Sequence, residues 1–168
     1  MLRAISMGIF VVLSATLASA QITSVHTSLQ EKDCKKLKTT DKNVLYSGRC
    51  PGVGGYKLQV AAAEEHQYVE LVAPSGKRSD VSINPVPYDF IGKTAEWRVK
   101  KGKPIAVILR FNMTEPGGSK VAESVLVVSK ITGNKACVTD VVQPGKTQNV
   151  KAAKLADSSS SKPCKPGA

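Results

Sequence analysis

Between residues 44 and 142 the chain repeats one theme, short β-branched runs separated by Gly, Pro, Asn or Ser. That pattern predicts an all-β fold, an antiparallel sandwich or barrel of about 7–8 short strands. Strands are expected at 44–49, 56–61, 68–73, 78–83, 94–100, 105–112, 122–131 and 136–142. No sequence repeat of solenoid length is present.

The hairpin around Lys101-Gly102-Lys103 is the best-defined unit. Ala95, Trp97 and Val99 alternate with Thr94, Glu96, Arg98 and Lys100, as on a half-buried strand. Pairing Val99 with Ile105 puts Trp97 opposite Val107 and Ala95 opposite Leu109, whereas a one-residue slip leaves Ala95 facing Arg110. The favoured register implies a three-residue connection and sets Glu96 diagonal to Arg110, within reach of an ion pair. A second hairpin turns at 74–77, with Leu71 opposite Val81 and Val69 opposite Ile83. A third turns at Gly133-Asn134. Pro85 and Pro87 forbid ladder donors, so residues 84–90 form a loop or edge crossing.

Both ends of the chain differ from this middle. Residues 21–43 are polar and lysine-rich and are expected to form an extended arm tied down at Cys34. Residues 147–157 predict one short helix with a cap at Thr147 or Asn149. Residues 158–168 are expected to be a flexible tail tethered at Cys164. Residues 44–157 would then be a single β-rich domain.

Ahead of the arm, residues 1–20 have the order of a secretory signal: Arg3, an apolar stretch over 7–17, and Ala18-Ser19-Ala20. The apolar run is shorter than the roughly 20 residues of a spanning helix. Cleavage before Gln21 leaves 148 residues, enough for one core, with 23 basic against 13 acidic side chains, a net +10. Such an excess favours anionic neighbours. The basic residues are scattered and aromatics are few, which argues against nucleic acid. The cysteines, Cys34, Cys50, Cys137 and Cys164, read as a disulfide framework in an oxidising compartment, with three possible connectivities. Cys34–Cys50 with Cys137–Cys164 is favoured, because each closes one end of the chain onto its neighbouring strand. There is no C-x-x-C pair and only His26 and His66 could assist, so neither metal nor cofactor is expected.

Catalytic signals are thin. His66 follows Glu64 and Glu65, which could orient it, but a solvated polar turn is the simpler reading. No G-x-S-x-G elbow or H-E-x-x-H is present. The glycine-rich segment 50–56 lacks the P-loop spacing and lysine, and fits a bulged corner between strands. Trp97, Tyr56 and Phe111 read as core residues. Tyr88 and Phe90, flanked by Lys100, Lys101 and Lys103, form the candidate partner-binding patch.

The run Tyr46-Ser47-Gly48-Arg49-Cys50-Pro51-Gly52 with Gly55-Tyr56 resembles a group of uncharacterised exported bacterial proteins. Glu96-Trp97-Arg98, Lys103-Pro104-Ile105-Ala106 and Ala136-Cys137 are similar to the same group, over about Cys34 to Cys164. The resemblance implies an envelope location in a Gram-negative bacterium and no particular activity. A fainter similarity is to periplasmic lysozyme inhibitors, whose inhibitory loop carries Ser-Gly-x-x-Tyr. Here Arg49 and Cys50 follow Ser47-Gly48, and the tyrosine precedes the serine. The expectation is a non-catalytic periplasmic or secreted protein that binds an anionic envelope component or an acidic protein, with inhibition of a secreted hydrolase as the alternative. Mass spectrometry of the exported product should find Gln21 at its N-terminus; an intact Met1 would contradict the cleaved signal.

Overall fold

A computed structural model describes residues 21–63, 66–83, 89–114 and 121–166, so residues 1–20, for which a secretory signal is expected, and Tyr88 lie outside the described residues. Among the described residues ten strands form two five-stranded antiparallel sheets. Sheet A has the order β1 (Ile22–Ser28), β7 (Asp89–Lys100), β8 (Lys103–Thr114), β9 (Val121–Thr132), β10 (Lys135–Val142). Sheet B has the order β2 (Lys35–Lys36), β3 (Tyr46–Cys50), β4 (Lys57–Ala63), β5 (His66–Val72), β6 (Arg78–Asp80). Helix α1 (Gln148–Asp157) packs on β8 and β9. The fold is a sandwich with a helix added, and all eight strands anticipated from the pattern are present.

Trp97, Leu109, Phe111 and Val127 of sheet A meet Leu58, Val69, Leu71 and Val81 of sheet B in the main core. The β-branched alternation exists because sheet B buries only this one face. β8 and β9 read instead as nearly continuous apolar runs, because both of their faces are covered. Their outward Ala106, Ile108, Leu126 and Val128 form a second cluster with Val142 and with Ala152 and Ala156 of α1. The two alanines let the helix lie close to the sheet.

Arg98 holds the far end of α1, its Nε and Nη2 donating to the two Asp157 carboxylate oxygens at 2.6 and 2.9 Å. An acid at a helix C-terminus opposes the macrodipole, and the guanidinium offsets it. Hydrogen bonding to Asp157 in turn raises the Arg98 pKa above its usual value. At the other end Arg110 donates to Gln148, Asn149 and Ser124, and the Gln148 amide donates to the carbonyls of Ser124 and Val142. Thr147 is the N-cap residue, but its side chain makes no capping bond.

Several sequence expectations need correction. Residues 21–43 are more than an extended arm tied down at Cys34: β1 pairs along its whole length with β7, and Thr27 accepts a 2.8 Å bond from Trp97 Nε1. As an edge strand it needs little apolar character, which hid it. The tail is not loose. Ser159–Ser161 form a 3-10 turn with Ser159 buried, Lys162 reaches Asp140 at 2.7 Å, and the Lys165 N–H bonds the Val138 carbonyl. The serine hydroxyls satisfy carbonyls at the helix end, which a composition-based reading takes for solvation.

Two registers shift as well. Trp97 faces Val107 and Ala95 faces Leu109, as expected, but Val99 faces Pro104 across a bulge. Lys101 and Gly102, with φ of 50° and 74°, make a two-residue turn rather than a three-residue one. At 74–77 the Ala73 N–H bonds the Lys77 carbonyl, which sets Leu71 opposite Ser79 and brings Val81 to Val69. The offset is two residues, so the buried face is kept. Glu96 and Arg110 do not pair. Glu96 lies opposite Ile108 and binds Ser24 and Arg98, while Arg110 serves the helix.

The bridges are Cys34–Cys50 and Cys137–Cys164. In the loop-entropy account each contributes about 3–4 kcal/mol. Tyr46 faces inward and folds over Gly48, where a Cβ would lie 2.0 Å from its hydroxyl oxygen, so only glycine fits beneath it. That hydroxyl is buried without a partner, and burial, then Glu31, raises its pKa.

Two stability predictions follow from these contacts. Arg98→Ala should lower unfolding free energy in urea by about 3 kcal/mol, since it strands a half-buried carboxylate, whereas Arg78→Ala, which loses the exposed pair with Glu70, should cost under about 1 kcal/mol. Tyr46→Phe should leave stability unchanged or higher at neutral pH, because no partner is lost. A raised phenol pKa stabilises the fold below about pH 10 and that share fades as pH climbs through the raised value, so Tyr46→Phe should also flatten the alkaline fall.

Candidate functional site

The expected partner patch combined Tyr88 and Phe90 with Lys100, Lys101 and Lys103. The structure separates Phe90 from the three lysines, and Tyr88 lies outside the described residues. Phe90 stands near the start of β7, opposite Asn112, and is 40% exposed, whereas Lys100 ends the same strand. Ten residues of extended chain place them about 33 Å apart. The sequence reading began this strand at Thr94 and so took the aromatic loop and the lysine turn for neighbours.

What gathers around the lysines is a set of other turns. The connections β3–β4, β5–β6, β7–β8 and β9–β10 all lie at one end of the sandwich. They interlock across the two sheets: the Tyr56 hydroxyl donates to the Gly133 carbonyl at 2.6 Å, and Ser79 Oγ accepts from the Ala136 N–H at 3.0 Å. A Cβ on Gly54 would sit 2.8 Å from Pro104, and one on Gly55 would sit 3.2 Å from Pro74. The end is closed by these contacts and presents turn backbone rather than a cleft between the sheets.

Segments 50–58, 72–79, 99–106 and 129–138, which build this end, contain eight Lys or Arg residues and no Asp or Glu. Lys57, Lys77, Lys100, Lys101, Lys103 and Lys135 are exposed, and none makes an ion pair with a described residue. With strands about 4.8 Å apart and sheets about 10 Å apart, six ammonium groups share a face roughly 20–25 Å across. Sequence reasoning found three of the six. A signal for the rest was present: each positive-φ turn glycine among Gly55, Gly76, Gly102 and Gly133 has a lysine one or two residues on.

Elsewhere, a cleft of about 390 Å³ beside α1 is lined by His26, Lys93, Thr94, Glu96, Arg110 and Asn149. His26 Nε2 lies 3.9 Å from Glu96, whose carboxylate already accepts from Ser24 and Arg98. Arg110 is likewise committed to α1. The cleft therefore reads as the seam between helix and sheet. A second groove, of about 440 Å³, lies on the outer face of sheet B around Tyr68.

His66 opens β5 opposite Ala63, with its ring 6.4 Å from that of Tyr68; Glu64 and Glu65 lie outside the described residues. All four cysteines are in disulfides. Among the described residues no three His, Cys, Asp or Glu side chains are grouped to hold a metal. Ser47 and Gly48, which carry the likeness to the inhibitory loop, sit within β3, where Gly48 faces the interior. Trp97 and Phe111 are fully buried and Tyr56 packs against the same core. Set against protein-family models, curated proteins and solved structures, the chain finds no match in any of the three.

Proposed function

We propose that this is a non-catalytic exported protein that works in the periplasm or outside the cell after cleavage near Ala20, and that it holds an anionic partner at its lysine-tipped end. The observation that carries the reading is the set of six exposed, unpaired lysines on four interlocked turns whose segments contain no carboxylate. Lysine ammonium groups act as mobile point charges, suited to a dense anionic surface; the fork geometry of arginine would suit one discrete carboxylate or phosphate. Rigid turns keep the charges on one face without further ordering on binding. Two disulfides fit an oxidising compartment, and no described helix is long and apolar enough to cross a membrane. The partner class is an anionic envelope component or an acidic protein surface.

Vesicles rich in phosphatidylglycerol provide the probe. Reversing Lys100, Lys101 and Lys103 to Glu should weaken binding at least tenfold. Reversing Lys38, Lys42 and Lys93, which changes net charge equally but lies away from this end, should weaken it much less. Half-molar salt, which shortens the screening length to about 4 Å, should abolish the interaction. Equal losses from the two triple variants would reduce the effect to net charge and overturn the assignment.

A further inference from the structure

Sheet B turns its other face to solvent, and its register sorts the side chains there into rows. One rung carries Arg49, Gln59, Glu70 and Asp80 from β3 to β6. The next carries Ser47, Ala61 and Tyr68. Small side chains at Ser47 and Ala61 leave a floor beside the Tyr68 ring, which is 38% exposed. Thr39, Asp41 and Val44, in the connection between β2 and β3, form the opposite wall. The result is an open groove of about 440 Å³, within the range of small-ligand sites at roughly 300–1,000 Å³.

The groove has the two kinds of surface that a pyranose ring requires. The C–H face of a sugar is apolar and packs on an aromatic ring, which Tyr68 offers with its polar tip free to stay in water. Sugar hydroxyls both donate and accept, and planar amide, carboxylate and guanidinium groups serve them best. Those groups are pre-positioned here. Arg49 Nη2 donates to Gln59 Oε1 at 3.1 Å, Arg78 Nη1 donates to Glu70 Oε2 at 3.1 Å, and Asp80 Oδ1 accepts from the Ser82 N–H at 2.8 Å. The Gln59 amide N–H₂ remains without a partner among the described residues. Ser47, 6% exposed, lies in the floor of the groove.

We propose that the outer face of sheet B is a binding groove for a neutral oligosaccharide of pyranose units, with Tyr68 as the stacking platform and Gln59, Glu70 and Arg78 as the hydroxyl-binding groups. The charge of the lining separates this ligand from the anionic partner at the lysine end: the carboxylates of Asp41, Glu70 and Asp80 outnumber the guanidiniums of Arg49 and Arg78. A uronic acid chain is therefore disfavoured, and salt has little leverage.

Calorimetric titration of the mature, oxidised protein with cellotriose, chitotriose and trigalacturonate tests the assignment. At least one neutral trimer should bind, with an affinity that half-molar salt leaves unchanged. Tyr68→Ala should weaken it about tenfold, equivalent to about 1.4 kcal/mol, while Tyr68→Phe should retain it. Gln59→Ala should weaken it several-fold. The Lys100, Lys101 and Lys103 reversal should leave it intact, so this groove and the lysine end can fail separately. Both test positions are on the solvent face, and an unchanged urea midpoint certifies folding; if one variant unfolds, the other reads the same groove. Absence of binding by both neutral trimers, tighter binding of trigalacturonate, or affinity untouched by both Tyr68→Ala and Gln59→Ala would overturn the proposal.

Discussion

The outward face of sheet A is the demand that organises the rest of the molecule. β8 and β9 are apolar on both sides, and a sandwich partner can cover only one. Ile108, Leu126 and Val128 would face water if α1 were absent. The helix has little intrinsic claim to its position: it is ten residues long, its N-cap makes no side-chain bond, and its buried apolar residues are two alanines. Isolated helices of that length are marginal in water. Arg98 and Arg110, rooted in β7 and β8, compensate by gripping its two ends. Hydrophobic cover and charged clamps are thus mutually dependent, since the helix shields the guanidinium–carboxylate pair from water and the pair keeps the helix in register.

The strands were legible because sheet B and the inner face of sheet A each obey a two-residue period. Trp97 opposite Val107 followed from that period alone, as did the turn at Gly133-Asn134. What stayed hidden depended on long-range geometry. β1 is made of Thr, Ser and His because an edge strand buries little, so its composition resembles a linker. The turn at 101–102 is short because Lys101 accepts a left-handed conformation, which residue type does not advertise. Serines after α1 look like solvated linker until the helix carbonyls they cap are in view. Phe90 and Lys100 lie apart for a related reason: proximity in sequence is not proximity in space where a single extended strand carries residue 90 to the opposite end from residue 100.

The two surfaces proposed for binding are chemically different. The lysine turns lie at the closed end of the sandwich, and the Tyr68 groove occupies the middle of a sheet face. One is cationic and built from interlocked turns. The other is concave, mixed in polarity and slightly acidic, fit for a neutral ligand.

The last few residues also bear on how the chain behaves in company. β10 borders sheet A, and an open border is a template on which another molecule's strand can pair. Here the backbone N–H of Lys165 already occupies the Val138 carbonyl, a bulge between Val138 and Asp140 twists the border, and the Cys137–Cys164 bridge keeps the covering segment in place. The tail is thus a built-in guard against filament growth, and reducing one covalent bond would disarm it.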